Sequence, residues 1–484
     1  MKLPTLSPQA WLTLQLLFTQ FFGLLLFAVQ APLLGPKAFG LISIVMVFIG
    51  FCEFVLEIAS TDALISVKTI EPAHYRSMTT VNALFGLSLG VVVFVFADPI
   101  AALFGEPELA AVLRWMSVLP LVSALMSAPN AATRRAMQFK PVAVRGIISV
   151  AVGGVVGLVL ALLDYGVWAL VWQSIVQRVL GVAILWIAVP LPLRFGYSHR
   201  HFRELWPFAS PMLISQTMAW AAGQIPRFIL GLWVGATELG LFSLASRLNE
   251  ILLQITLSPP FAVARVEMRR FLDDLSGIET AVHDLLRRMA LLCFPLAIGG
   301  AAVMPVLFQV WLDERWQGGV LVAQLMLLTG LPCVTHYALS AALLGLNRQA
   351  ATAANSTMQT VTTLAAVAVF APLGLVPAVA ALSFRPLLTA PVPMHYLRAA
   401  AGVSWTGVAR AQMPTLISAL IMGAAVWSLS VALSAMVIGP PVLVLVVQTA
   451  VGVVIYGALI LRLSPEQAKP FVDRVLRRFR RRAA

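Results

Sequence analysis

The sequence predicts an all-α, polytopic membrane protein of about fourteen transmembrane helices: two parallel six-helix repeats around a central cavity, followed by two further helices. Three observations carry this expectation. Apolar stretches of bilayer length recur along almost the whole chain, and its mean hydropathy is +0.91. Nearly all Lys and Arg fall in alternate connections between those stretches, and a short glycine motif recurs 200 residues apart at matching points of two halves.

A helix rises about 1.5 Å per residue, so crossing ~30 Å of hydrocarbon takes ~20 apolar residues. Stretches meeting this requirement fall at 11–34, 38–62, 79–97, 112–132, 142–163 and 165–190. A basic connection at 191–207 separates them from 208–233, 237–262, 285–311, 318–345, 351–371, 374–397, 411–437 and 440–462. The chain thus divides into an N-terminal lobe over 1–205, a second lobe over 206–400, two additional helices over 401–462 and a tail over 463–484. The first stretch exceeds a signal-peptide core and has no small-residue cleavage site, so it is expected to be retained. The longest interruption, at 263–284, is a charged linker with the makings of an amphipathic helix.

With a cytoplasmic N-terminus, the even-numbered connections and both tails hold 26 of the 33 Lys and Arg, among them Arg134, Arg135, Lys140 and Arg145. The opposite side holds only Lys37, Arg114 and Arg315, and four arginines remain inside the spans. This is the positive-inside pattern with both termini cytoplasmic, so the net charge of +13 reports topology. Because it is dispersed over many short loops, it does not mark a nucleic-acid partner. In the tail, Ser464-Pro465-Glu466-Gln467 opens a helix whose apolar stripe is Ala468, Phe471, Val472, Val475 and Phe479. Its other face carries Arg474 to Arg482, as suits a helix lying on anionic membrane lipids.

Several chemistries are excluded. Cys52, Cys293 and Cys333 all lie in predicted spans, so no disulfide framework or CxxC metal site is available. The chain has no HExxH or GxxxxGK[ST] motif and no metal-spaced His, Asp and Glu, so no metal or other cofactor is expected. The longest external loop, 98–111 with Asp98, Glu106 and Glu108, is too short for a catalytic platform. These features favour a transporter over an enzyme.

The repeat appears as Gly35 followed by Gly40-Leu41-Ile42-Ser43, against Gly235 followed by Gly240-Leu241-Phe242-Ser243. A second echo sets Gly166-Val167-Trp168-Ala169-Leu170-Val171 against Gly374-Leu375-Val376-Pro377-Ala378-Val379. An even number of crossings separates the copies, so the repeats run parallel, with a substrate path expected between them.

Polar residues inside the spans mark that path. In the seventh span Gln216, Trp220, Gly223 and Arg227 recur at steps of 4, 3 and 4, with Gln224 beside them. The eighth repeats the pattern with Ser243, Arg247, Glu250, Gln254 and Ser258. A charge at the bilayer centre costs ~2.5–3.5 kcal/mol on the insertion scale, so such residues should face a cavity or a partner. Arg178 and Arg385 stand 12 and 11 residues after Gly166 and Gly374, which gives them equivalent mid-membrane depth. Four guanidiniums, Arg178, Arg227, Arg247 and Arg385, suit a diphosphate, which accepts paired hydrogen bonds from the planar fork. Set against this, Arg247 and Glu250 are spaced to neutralise each other, and Arg227 is placed to snorkel.

Glu53 and Glu57 share a face of the second span, where they would either carry a coupling proton or pair with an arginine. Gln15 with Thr19, Gln173 with Gln177, and Asn355 with Gln359 are i,i+4 pairs suited either to sugar hydroxyls or to interhelical hydrogen bonds. His336 reads as a packing histidine. Gly86 with Gly90 and Gly153 with Gly157 read as contacts for close helix approach.

The runs Gly35-Pro36-Lys37-Ala38-Phe39-Gly40-Leu41, Arg134-Arg135-Ala136-Met137-Gln138-Phe139-Lys140 and Tyr165-Gly166-Val167-Trp168-Ala169-Leu170 resemble the polysaccharide flippase family. So do His201-Phe202-Arg203-Glu204-Leu205, Gly235 to Leu248, Glu314-Arg315-Trp316 and Leu344-Gly345-Leu346-Asn347-Arg348. That family belongs to the multidrug/oligosaccharidyl-lipid/polysaccharide exporter superfamily. The resemblance implies a bacterial inner-membrane protein that moves undecaprenyl-diphosphate-linked oligosaccharide to the periplasmic leaflet by alternating access. It also implies a polysaccharide polymerase and export machinery as partners. The family pattern often has an acid where this chain has Pro226. The alternatives are a multidrug exporter or lipid II flippase of the same superfamily and, from another class, a membrane glycosyltransferase or polymerase.

Overall fold

The computed structural model describes residues 7–67, 69–189, 195–272, 274–435 and 440–465; within these, the side chains of 8, 57–63, 66, 206–219, 221, 222, 349, 401, 434 and 435 are not described. The basic tail foreseen at 463–484 lies almost wholly outside the described residues. Every regular element described is helical, and the chain forms two compact units, Met1–Gly240 and Leu241–Ala484. Unit 1 runs through α1 (Pro8–Ser66), α2 (Pro72–Val95), α3 (Ala97–Leu103), α4 (Glu108–Met116), α5 (Leu119–Ala124), α6 (Ser127–Arg135), α7 (Phe139–Leu162) and α8 (Val167–Ala188). The helix α9 (His199–Thr256) carries the chain into unit 2. There follow α10 (Ser258–Glu267), α11 (Ile278–Trp311), α12 (Val320–Leu328), α13 (Gly330–Gly345), α14 (Gln349–Phe370), α15 (Leu375–Thr389), α16 (Pro391–Ala401), α17 (Trp405–Ala435) and α18 (Pro441–Leu463).

Among the described residues twelve helices are long and apolar enough to cross a membrane, not the fourteen expected. The difference falls at two places. The stretches 11–34 and 38–62 run together in α1, and 208–233 and 237–262 run together in α9. Each junction is a single non-helical glycine: Gly35 has φ 74° and ψ 169°, and Gly235 has φ 79° and ψ 176°. Positive φ is open to glycine at no steric cost, and at Gly35 the following Pro36 has no N–H to donate. One residue turns the chain, and no loop separates the two helical halves.

The glycines after these breaks explain the motif. A Cβ on Gly40 would lie 1.7 Å from the Ala236 carbonyl oxygen, and one on Gly240 would lie 1.9 Å from the Pro36 carbonyl oxygen. The two copies therefore pack crosswise, backbone on backbone, each needing a residue with no side chain. Further matched pairs of positive φ mark the repeat: Met137 (54°) with Asn347 (55°), and Gly166 (56°) with Gly374 (112°). The other glycine pairs act as expected. Gly86 and Gly90 bring α2 onto the carbonyls of Pro120 and Ser117, and Gly153 and Gly157 seat α7 on α8.

At one end of unit 1 the starts of α2 and α9 are clamped by a crossed set of His–Glu contacts. His74 Nδ1 accepts from the Glu71 N–H at 3.1 Å, so Nε2 carries the proton and donates to Glu204 at 3.0 Å. His201 Nδ1 lies 2.6 Å from the Ser198 hydroxyl and its Nε2 3.2 Å from Glu71, with the two imidazoles 4.5 Å apart. The hydrogen bond from His74, aided by Arg200, holds the Glu204 carboxyl below its usual range. A depressed carboxylate contributes stability above its unfolded pKa and loses it as pH falls through the lower, folded value. The melting temperature should therefore drop on acidification below about pH 4, and Glu204→Gln should flatten that acid limb in a pH series of thermal melts.

Unit 2 has its own core, in which Met289, Phe294, Leu339, Met394 and Val408 are buried together. Trp316 and Phe308 are fully buried. The three cysteines are free and buried.

Candidate functional site

Unit 1 encloses a cavity of about 300 Å³. Helix α1 supplies Gly50, Glu53 and Phe54; the α5–α6 segment supplies Ser123, Met126, Ser127 and Asn130; α7, α8 and α9 supply Arg145, Arg178 and Trp220. Two guanidiniums face one carboxylate, leaving one surplus positive charge.

Arg178 Nη2 donates to Glu53 Oε2 at 2.7 Å, and the Ser123 hydroxyl donates to Glu53 Oε1 at 2.7 Å. Both carboxylate oxygens are thus occupied. The Glu53 side chain is 13% exposed whereas Arg178 is 42% exposed, so the arginine is the partner that presents itself to an incoming ligand. Arg145 lies against the Met126 sulfur, and Asn82 donates to Ser127 at 2.7 Å. Trp220 stacks obliquely beside Phe51 and Phe54, with ring centroids 5.6 and 5.8 Å away. A Cβ on Gly50 would lie 3.4 Å from the indole, so glycine lets the ring lie close to α1. The cavity can therefore offer a forked cation, hydroxyl and amide groups, and an aromatic face to one ligand.

Of the residues singled out in the sequence, the structure brings Arg178, Glu53 and Trp220 together. Arg227 and Gln224 also lie in unit 1, hydrogen-bonded to each other at 3.1 Å. Arg247 and Glu250 meet at 3.4 Å in unit 2, where Gln254 is exposed. Gln173 accepts from Gln30 at 2.7 Å and, with Gln177, packs against Gly157 and Gly153 of α7, so both stand at a helix contact. Asn355 and Arg385 belong to unit 2. The side chains of Gln216 and Glu57 are outside the described residues.

Sequence reasoning missed Arg145, Ser123, Ser127 and Asn130. Arg145 counted as a charge in a connection, but α7 begins at Phe139 and carries it into the helix. Ser123, Ser127 and Asn130 are spaced 4 and 3 apart, the step that marked the seventh and eighth spans. That signal was present and went unused because none of the three is charged.

Comparisons with known proteins agree with this architecture. Residues 29–321 match the family described as polysaccharide biosynthesis protein. The chain is 29% identical over 284 residues to the succinoglycan biosynthesis transport protein ExoT of Rhizobium meliloti (strain 1021), covering 58% of this chain and 55% of that one. It is 22% identical over 348 residues to the lipopolysaccharide biosynthesis protein WzxC of Escherichia coli (strain K12), covering 68% and 67%. The chain thus spans little more than half of ExoT's length. Among solved structures, the lipid II flippase MurJ in an inward closed conformation superposes with a TM-score of 0.73 at 12% identity, over 94% of this chain and 98% of that one. An inward-facing multidrug resistance MATE transporter superposes with a TM-score of 0.55 at 15% identity, over 81% and 98%. These two likenesses show a shared fold.

Proposed function

This chain belongs to the polysaccharide biosynthesis protein family, and from that premise we propose that it is a flippase carrying undecaprenyl-diphosphate-linked oligosaccharide from the cytoplasmic to the periplasmic leaflet of a bacterial inner membrane. The observation that carries this reading is the unit 1 cavity, in which Arg145 and Arg178 outnumber Glu53. A diphosphate is a polyanion whose oxygens accept hydrogen bonds from a planar guanidinium, and sugar rings pack on aromatic faces such as Trp220. A cationic drug would be repelled by the same surplus charge. The similarity to ExoT, a succinoglycan biosynthesis transport protein, and to WzxC, a lipopolysaccharide biosynthesis protein, supports the same substrate class.

Transport proceeds by alternating access, with the polyprenyl chain left in lipid. In this reading the N- and C-termini are cytoplasmic, and the turns at Gly35 and Gly235 would let α1 and α9 each cross twice, for fourteen crossings. At 48 residues, the apolar run Gln9–Leu56 is more than twice the ~20 residues one crossing needs. Arg227 and Arg247 contribute to the anionic path, each tempered by its neighbour, Gln224 or Glu250.

The test is translocation of lipid-linked oligosaccharide in reconstituted vesicles. Arg178→Ala and Arg145→Ala should each lower the rate about 10-fold or more, by the loss of a charge-assisted hydrogen bond of about 1.5–3 kcal/mol. Arg178→Lys should recover part of it, because the charge remains while the fork is lost. Wild-type rates in both alanine variants would overturn the assignment of this cavity to the diphosphate.

A further inference from the structure

Arg178 is not fully spent on Glu53. Its Nη2 donates to Glu53 Oε2 at 2.7 Å, and among the described residues the guanidinium makes no other hydrogen bond, so Nε and Nη1 remain for a ligand. Both side chains line the unit 1 cavity, but they differ in access: Arg178 is 42% exposed and Glu53 13%. The carboxylate is the recessed partner and the arginine the open one. Glu53 Oε1 also accepts from the Ser123 hydroxyl of α5 at 2.7 Å, so the acid keeps one hydrogen bond when Arg178 turns to another anion.

Anions compete for a guanidinium through charge as well as through donors. A phosphate that takes the open nitrogens of Arg178 comes within a few ångströms of the Glu53 carboxylate, since both then lie against one guanidinium, and like charges repel strongly where water is scarce. The empty cavity poses the opposite problem. Without Glu53, Arg145 and Arg178 would line it with no carboxylate between them, and uncompensated charge inside a membrane is costly.

We propose that Glu53 is the cavity's own replacement anion: it neutralises Arg178 while the cavity is empty, yields it to the incoming diphosphate, and reclaims it as the diphosphate leaves. Glu53 is thus a positioning residue, acting through Arg178 on release rather than on capture. This inference rests on the reading of the cavity as a diphosphate site. Its consequence is a trade-off. The carboxylate weakens substrate binding, yet without it the loaded state is too stable and the empty state too costly, and both slow the cycle.

Two measurements on the purified full-length protein test this. In equilibrium dialysis with radiolabelled inorganic pyrophosphate, Glu53→Gln should bind about 10-fold more tightly than the wild type, because one like charge is gone. Adding Arg178→Ala should erase that gain. In reconstituted vesicles, Glu53→Gln should lower KM for lipid-linked oligosaccharide about 10-fold and lower kcat by a similar factor. A merely structural carboxylate predicts the reverse for binding, since its loss would loosen the cavity. Glu53→Asp, one methylene short of Arg178, should show part of the gain and decides the matter should Glu53→Gln fail to fold.

The outcomes separate this inference from the reading beneath it. If Arg178→Ala weakens pyrophosphate binding but Glu53→Gln leaves it unchanged or weaker, the replacement role is overturned and the diphosphate site stands. A gain that survives Arg178→Ala overturns action through Arg178. If neither the wild type nor Glu53→Gln binds pyrophosphate, or if Arg178→Ala leaves wild-type binding intact, the diphosphate reading of the cavity falls, and this inference with it.

Discussion

Alanine at Gly40 or Gly240 is expected to prevent the protein from accumulating in folded form. The added carbon would sit 1.7 Å from the Ala236 carbonyl oxygen in one case and 1.9 Å from the Pro36 carbonyl oxygen in the other. Real Cβ atoms essentially never approach closer than 3.0 Å, and the obstacle is backbone, which cannot rotate away as a side chain tip would. The α1 and α9 segments must therefore part by more than an ångström along their whole contact. Overpacking of an ordinary core costs ~1–3 kcal/mol, and a backbone obstacle places these variants at or beyond the upper end. Size-exclusion profiles and thermal melts in detergent would show loss of the monodisperse peak or a Tm drop of roughly 10 °C, since 1 kcal/mol moves Tm by a few degrees. Gly223→Ala in the same long helix is the control, because nothing lies within 4 Å of its added carbon. Wild-type melts for both Gly40→Ala and Gly240→Ala would show that the crosswise contact does not exist.

Removing Arg178 should destabilise unit 1 more than neutralising Glu53, and removing both should cost less than the sum. In Arg178→Ala the Glu53 carboxylate, 13% exposed, keeps only the Ser123 hydroxyl as a partner. Breaking a fully buried pair costs ~3–5 kcal/mol; solvent around the 42%-exposed arginine brings the expectation here to about 2 kcal/mol. Glu53→Gln keeps its oxygen as an acceptor for Arg178, turns its amide nitrogen into a donor toward the Ser123 hydroxyl, and leaves a guanidinium that water can reach, for about 1 kcal/mol. A double-mutant cycle on Tm-derived stability would then return a coupling of roughly 1–2 kcal/mol. Transport separates structure from function in the same set. Glu53→Gln raises the cavity's surplus positive charge and should bind lipid-linked diphosphate more tightly, whereas the double variant should regain stability and remain inactive. A double variant with wild-type transport would reduce Arg178 to a structural partner.

Much of the architecture is legible in the sequence. Hydropathy located the spans, because a helix in lipid must be apolar over its whole crossing length. The repeated Gly-x4-Gly-Leu-x-Ser marked both helix breaks, and the steps of 4 and 3 found Trp220 along one face of α9. Arg178 was found by its depth after Gly166. Other signals left alternatives that only packing resolves. Gln173 and Gln177 share a face, as periodicity said, but that face meets the glycines of α7. The two apolar runs before and after Gly35 join in one long element, because one glycine suffices to turn the chain without a loop.

The sequence by itself determined the class of protein, the places where helices break and which side chains share a helix face, since these depend on composition and on the 3.6-residue period within one segment. Only the tertiary structure decided which faces meet: that Glu53 answers Arg178, that Arg145 enters the same cavity, that His74 and His201 exchange glutamates, and that Gly40 lies on the Ala236 carbonyl. Such contacts join residues tens to hundreds of positions apart. Their partners are chosen by the packing of whole helices, which no local period encodes.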